Sequence, residues 1–260
     1  MAVTIKDVAR ETNLAISTIS KYMNGGTVRP ENRERIKEAV RKLGYSPNHT
    51  ARGLRTSRTY MIGLVTGKMF SPHTARILSE IEKKLRLLGY SVTFATHEEN
   101  GIQAKEYVDY MVERGVDGII STPIGTGQDY LKSAAEQKIP VVILEENSAG
   151  NQADCVQVDC SGGAYLIVEH LIEKGHREIA VIKGPDYKLT SRERLRGYLR
   201  VMEDYGCPIR EEYMIQGDFS YKSGYEGIRR LWELEKKPTA VFVSNYDMCL
   251  GAMAAVYNLN

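Results

Sequence analysis

Beyond residue 60 the chain alternates short β-branched runs with stretches of helical periodicity, and that alternation restricts the fold more tightly than anything else in the sequence. MIGLVT at 61–66, YSVTFAT at 90–96, VDGIIS at 116–121 and PVVIL at 140–144 are separated by helical stretches that end near Gly89, Gly115 and Lys138. A second set follows, with CVQVD at 155–159, EIAVIK at 178–183, YMIQGD at 213–218 and TAVFVS at 239–244, and helices ending near Gly175, Tyr205 and Leu234. Apolar runs that do not alternate with polar residues belong to strands covered on both faces, and the helices between them are the crossovers that parallel pairing needs. The expectation is an α/β core of two similar parallel-sheet lobes with a cleft between them, residues 61–150 forming the first and 151–260 the second.

The first sixty residues are of another kind. They carry 12 Lys+Arg against 5 Asp+Glu, a surplus of +7, whereas residues 61–260 carry 23 against 28. A basic head on an acidic body reads as a polyanion-binding module. No apolar run is long enough to cross a bilayer and the start MAVTIKDVAR lacks a signal-type apolar region, so a cytoplasmic protein with no membrane partner is expected. The cysteines Cys155, Cys160, Cys207 and Cys249 form no CxxC pair and have no histidine at finger-like spacing, so reduced thiols are expected, with no metal and no cofactor.

Within residues 1–46 the periodicity predicts three short helices. Thr4 and Asp7 stand at capping-box spacing before Ile5, Val8 and Ala9, and Asn13-Leu14 breaks the first helix. Ile19 and Met23 mark a second, stopped by Gly25-Gly26. Pro30 opens a third that carries Ile36, Val40 and Leu43 and ends at Gly44. The second helix would turn Ile16, Ser17, Ser20 and Lys21 outward with no carboxylate among them, a face able to approach a DNA major groove; the plainer alternative is a polar surface of a bundle. Residues 47–60 are expected to form a hinge helix and linker. In YSPNHTARGLRTSR, Ala51, Leu54 and Arg55 share one helical face, with Arg52 and Arg58 nearby, and a segment so short needs a partner to order it.

These residues resemble the lactose/galactose repressor family. The resemblance rests on Thr4-Ile5-Lys6-Asp7-Val8-Ala9, STISKYMNG, RPENRERI, LGYSPN and the Ala51-Arg52 and Leu54 positions, in that family's order and spacing. It implies Ile16, Ser17 and Lys21 as base readers, Thr4, Lys6, Thr18, Ser20 and Asn24 as phosphate or groove contacts, and Leu54 with Arg55 as a minor-groove pair, with Asn48 and Arg52 beside them. Two positions depart from the pattern. Ala15 and Arg29 stand where relatives carry Ser or Thr and Ser, so the second and third helices lack their usual N-caps, each worth about 1 kcal/mol.

The body continues the likeness, since QVDCSGGAYLIVEHLIEKGHREIAVI and PTAVFVSNYDMCLGAM resemble the periplasmic-binding-protein-like core of the same family. Because chains of that family run on past this point, the second lobe is expected to be incomplete and the chain truncated. Open α/β sheets take ligands beyond the carboxyl ends of their strands. The resemblance places effector-binding positions there, on His73, Thr74, Glu145, Lys188, Thr190, Arg194, Phe219 and Asn245. The family's Asn-Asp pair reads Asn245-Tyr246-Asp247 here. What this implies is a repressor that binds a pseudo-palindromic double-stranded DNA operator as a homodimer and responds to a small molecule, a sugar or sugar phosphate, in its cleft. Two other readings stand beside it: a catabolite-control type regulator with a phosphorylated carrier protein as corepressor, and a solute-binding receptor.

Catalysis is not expected. Glu145 and Glu146 are adjacent at a strand end and so point to opposite sides, GTGQDY at 125–130 lacks the third glycine of a dinucleotide fingerprint, and no histidine lies in a recognisable Ser or Cys nucleophile motif.

Overall fold

The computed structural model describes residues 3–23, 25–45, 58–67, 72–97, 101–122, 127–146 and 153–259. It separates into two compact units, residues 1–59 and 60–260.

The head consists of α1 (Ile5–Thr12), α2 (Ile16–Met23) and α3 (Pro30–Leu43). Asn13 ends α1 in the left-handed conformation, φ 48°, and Gly44 ends α3 in the same way, φ 63°, the backbone geometry that stops a helix and returns its N–H groups to the last turn. Val8, Ile19, Ile36 and Ala39, at least one from each helix, are buried together, with Ile5, Leu14, Met23, Val40 and Leu43 closing around them. This small core is what the apolar periodicity of the sequence encodes.

The second unit contains two parallel sheets. The first is built from β1 (Met61–Thr66), β2 (Ser91–Thr96), β3 (Gly118–Ser121), β4 (Val141–Leu144) and β5 (Asp154–Val156) in the order β2-β1-β3-β4-β5. Its crossovers are α4 (Pro72–Leu87), α5 (Gly101–Glu113) and a single 3-10 turn, Asp129–Leu131, leading into α6 (Lys132–Glu136). The second sheet has β6 (Ile179–Lys183), β7 (Met214–Gln216) and β8 (Ala240–Val243) in the order β7-β6-β8. It is covered by α7 (Cys160–Glu173), α8 (Leu189–Asp204), α9 (Tyr221–Trp232) and α10 (Tyr246–Leu259). Its strand order repeats the β2-β1-β3 wind of the first sheet, so the two lobes are alike in topology.

One strand differs from the expectation. The run at Cys155 was expected to open the second lobe, but it closes the first sheet, with Val142 opposite Asp154, Ile143 opposite Cys155 and Leu144 opposite Val156. Only residues 154–156 are strand, and the sheets therefore divide after Val156, not between 150 and 151. β4, the strand just before β5 in the chain, leaves a free edge, and the backbone groups of residues 154–156 pair there. Residues 157–159 then cross from the first sheet to the start of α7.

The second lobe is organised around a strand buried on both faces. Ile179 and Val181 face one layer with Tyr198, Val201 and Met202 of α8, while Ala180 and Ile182 face the other with Ile228 and Leu231 of α9 and Met248 and Ala252 of α10. Helices α9 and α10 lie so close that a Cβ at Gly251 would sit 1.9 Å from the Tyr221 carbonyl oxygen. The outward face of α10 carries Tyr246, Leu250, Met253 and Tyr257, all exposed at helical spacing. Among the described residues no helix is long and apolar enough to cross a membrane.

Candidate DNA-reading face and ligand cleft

In the head, α2 presents two isoleucines in opposite ways. Ile19 is completely buried, and Ile16, three positions earlier, is 45% exposed. Ser17 and Lys21 share the exposed side, while Thr18 and Ser20 are half-buried. No Asp or Glu occurs between Glu11 and Glu31, so this face holds nothing that repels phosphate. Ala15 occupies the N-cap position of α2, its carbonyl accepting from Thr18 N at 2.9 Å and Ile19 N at 3.3 Å, with no side-chain oxygen to offer in return. Arg29 caps α3 without a side-chain bond, Pro30 supplying the first turn. At α1 the Asp7 carboxylate accepts both the Thr4 backbone N–H at 2.9 Å and the Thr4 hydroxyl at 2.7 Å. Those bonds, the hydroxyl first, hold the Asp7 carboxyl below its ordinary range, with the charge of Arg10 adding a little. Thr4 and Lys6 are exposed. Asn24, Asn48, Arg52, Leu54 and Arg55 lie outside the described residues.

In the first lobe the strand ends carry a hydroxyl network. Thr122 Oγ1 lies 3.3 Å from Thr66 Oγ1 and accepts from Gly67 N at 3.1 Å, and Ser121 Oγ is 2.8 Å from the buried Tyr130 hydroxyl. Burial pushes the Tyr130 phenol up, against the opposing bond from Ser121. Two of the expected effector residues meet each other here: His73 Nε2, at the start of α4, lies 3.0 Å from Glu145 Oε1, just after β4. Glu145 has a left-handed backbone, φ 61°, and its N–H bonds the Val156 carbonyl at 2.9 Å, which fixes the turn that aims its side chain. Thr74, one residue on from His73, is half-buried.

A cavity of about 480 Å3 opens beside Glu145. The crossing segment Gln157, Val158 and Asp159 forms one wall, and Leu189, Thr190, Glu193 and Arg196 of α8 form the other. Both lobes thus contribute. Asp159 Oδ1 caps α7 by accepting Gly162 N at 2.7 Å, and Glu193 pairs with Arg196 along α8. Of the expected effector residues, only Glu145 and Thr190 line this cavity. Lys188 is the N-cap residue of α8, one position before the cavity wall, its ammonium 5.5 Å from the Tyr187 ring centre.

Arg194, Phe219 and Asn245 gather instead at the carboxyl edge of the second sheet. Arg194 Nη1 donates to the Ser244 carbonyl at 2.8 Å, and Asn245 Nδ2 donates to the Phe219 carbonyl at 3.0 Å while its Oδ1 accepts Met248 N at 3.1 Å. Phe219 has φ 69°, a left-handed backbone that costs a non-glycine residue roughly 1–2 kcal/mol. Beside it, hydrogen bonds from Ser220 and Ser223 hold the Asp218 carboxyl down at about 2.

The cavity residues Gln157, Val158, Cys160, Leu189, Glu193 and Arg196 were not singled out from the sequence. The cue available was the Asp159-X-X-Gly162 spacing, which marks an N-cap and so places a loop, not a strand, at 157–159. Among the described residues no group of His, Cys, Asp and Glu is arranged to hold a metal ion.

Comparison with known proteins agrees with this architecture. The family described as "Bacterial regulatory proteins, lacI family" matches residues 4–48, and "Periplasmic binding proteins and sugar binding domain of LacI family" matches residues 59–260. Catabolite control protein A of Priestia megaterium is 31% identical over 97% of this chain and 77% of its own length. The HTH-type transcriptional repressor PurR of Actinobacillus pleuropneumoniae serotype 5b (strain L20) is 32% identical over 97% of this chain and 76% of its own. Among solved structures, a lac repressor dimer bound to operator and the anti-inducer ONPF superimposes with a TM-score of 0.79 at 27% identity, over 100% of this chain and 78% of that one. A complex of the transcriptional regulator CelR with cellobiose gives 0.71 at 29% identity, over 99% and 79%. The helix-turn-helix head, the two-lobed core and matches to both together establish that this chain belongs to the lacI family of bacterial regulatory proteins.

Proposed function

We propose that this chain is a cytoplasmic transcriptional repressor that binds a pseudo-palindromic DNA operator as a homodimer and whose operator affinity is set by a small molecule, a sugar or sugar phosphate, held in the cleft of its core. The observation that carries the reading is the exposed, carboxylate-free face of Ile16, Ser17 and Lys21 on α2, with the buried Ile19 anchoring the same helix to the head. In this reading Ile16 meets a thymine methyl, Ser17 a base edge and Lys21 a purine edge or phosphate, while Thr4, Lys6, Thr18, Ser20 and Asn24 hold the backbone. Asn48, Arg52, Leu54 and Arg55 form the segment that orders on the minor groove, Leu54 as an apolar wedge. No catalytic step is assigned to the cleft.

Dimerisation through the exposed α10 stripe of Tyr246, Leu250, Met253 and Tyr257 fits a two-fold interface, in which the same patch meets itself. In this reading the cleft ligand touches both lobes: His73, Thr74 and Glu145 from the first, and Lys188, Thr190, Arg194 and Phe219 from the second, with Asn245 beside Phe219. A ligand that favours one lobe arrangement over the other then shifts operator affinity by its differential binding energy and no more.

Selection of operators from random duplexes with the full chain tests the reading. Enrichment of a two-fold-related site at moderate ionic strength is the expected result, and its absence with or without a panel of sugars and sugar phosphates would overturn it. A second reading, implied by the same family resemblance, is a catabolite-control type regulator in which a phosphorylated carrier protein acts as corepressor. Retention of such a carrier on the immobilised chain, with operator affinity raised by it, distinguishes that case.

A further inference from the structure

Three loops meet at the carboxyl edge of the second sheet, and their contacts assign roles that the strand pattern alone does not. Phe219 follows β7 with a left-handed backbone, and a bulky aromatic residue does not hold that conformation unless its surroundings impose it. Asp218 Oδ1 accepts Ser220 N at 2.8 Å and so braces the turn from one side. From the other side comes Asn245, at the end of β8. Its Nδ2 donates to the Phe219 carbonyl at 3.0 Å and its Oδ1 accepts the Met248 N–H at 3.1 Å, joining the Phe219 turn to the first turn of α10.

The ring has a second constraint. Gly184 follows β6, and a Cβ added there would lie 2.0 Å from Phe219 Cε1 and 2.2 Å from Cζ. The ring therefore occupies the volume that any side chain at 184 would need. Gln216 Nε2 fixes the floor beneath it, donating at 2.8 Å to both the Gly184 and the Gly217 carbonyls. Arg194 completes the edge through its bond to the carbonyl of Ser244, the residue before Asn245.

We propose that Asn245 and Gly184 are positioning residues for the Phe219 ring: Asn245 acts on the ligand through Phe219, and Gly184 keeps the ring's place clear. This rests on the reading of that edge as the ligand-binding wall of the second lobe. The Phe219 turn is held by bonds from Asp218 and Asn245, and a ring held in this way costs less ordering on binding.

The test needs no ligand. The chain has four phenylalanines, Phe70, Phe94, Phe219 and Phe242, so the full-length protein labelled with fluorophenylalanine gives a fluorine spectrum simple enough to assign by Phe→Leu variants. Asn245→Asp keeps an oxygen for the Met248 N–H but removes the donor to the Phe219 carbonyl. Its expected result is a displaced Phe219 resonance, with Phe94 of the first lobe unmoved and the thermal transition of the core preserved. A residue that merely caps α10 would leave the Phe219 resonance where it was, and that outcome overturns the proposal. Gly184→Ala is the independent second variant, expected to move the same resonance; Asn245→Ser serves as a further cap-retaining variant if the aspartate destabilises the core. Failure of the ligand reading would show separately, as an absence of any sugar or heterocycle that protects the core while the fluorine shifts still occur.

Discussion

Ile16 and Ile19 share a residue type and a helix, and the structure gives them opposite tasks, which makes paired truncation a sharp test. Ile19 is wholly buried in a core of four buried side chains. Truncating such an isoleucine to alanine costs about 2–5 kcal/mol in transfer and cavity terms. At roughly 0.05–0.15 kcal/mol per residue, a head of about 45 residues has only about 2–7 kcal/mol to lose. Two of its three helices also begin without a side-chain cap, so the low end of that range is the fitting one. Ile19→Ala should therefore unfold most of the head at 25 °C, abolish operator binding and leave the unfolding transition of residues 60–260 untouched. Ile16→Ala removes an exposed side chain and should change stability by less than about 0.5 kcal/mol. It should instead relax discrimination at one base pair by about 1–3 kcal/mol, roughly a 5- to 150-fold loss of preference. Calorimetry, followed by fluorescence anisotropy on a selected operator and its single-base variants, reads both effects. Equal destabilisation by the two substitutions, or an Ile19→Ala head that binds as before, would refute the assignment of buried and reading faces.

Further expectations follow from other contacts. Lys21→Ala should reduce the slope of log affinity against log salt by about 1 if the ammonium neutralises a phosphate; an unchanged slope would argue against direct contact. Ala15→Ser restores an acceptor at the α2 N-cap and should stabilise the head by roughly 0.5–2 kcal/mol, visible as slower amide exchange in α2. Glu178 is held at about 2 by Arg210, at 2.9 Å, and by Lys236, against an ordinary value of 4.5. A depressed carboxylate stabilises the folded state above its unfolded value and loses that contribution as pH falls through its folded one. Glu178→Gln should thus weaken the second lobe in denaturant at pH 7, with the deficit shrinking between pH 4.5 and about 2. Leu250→Glu places a charge in the α10 stripe and should shift sedimentation toward monomer while weakening operator binding.

The elements most legible in sequence were those with a clear apolar pattern, either a continuous β-branched run or a helical stripe. EIAVIK and TAVFVS are strands because β-branched runs between turn residues have few other uses, and Ile5, Val8, Ile19, Ile36, Val40 and Leu43 all reached the head's core. Which sheet a strand joins is a different matter. Asp154–Val156 is three residues at an edge, too short for its side-chain pattern to favour one sheet, and it pairs with β4, the strand that precedes it in the chain. The cavity was partly illegible for a related reason. Glu193 and Arg196 look like a solvated ion pair on a helix, and only the crossing of residues 157–159 turns that pair into a wall. Arg194, Phe219 and Asn245 were expected separately at strand ends; the Asn245 bond to the Phe219 carbonyl goes with a left-handed turn that no apolar period announces, and Arg194 reaches the Ser244 carbonyl instead.

The claim that binds head and core together is that a cleft ligand sets operator affinity, and a single titration addresses it. The selected duplex is titrated with the full chain in the absence and presence of a compound that raises the unfolding temperature of the core. Coupling of roughly 1–3 kcal/mol predicts about a 5- to 150-fold change in operator Kd in one direction. An identical Kd at saturating compound, for every compound that stabilises the core, would contradict the account.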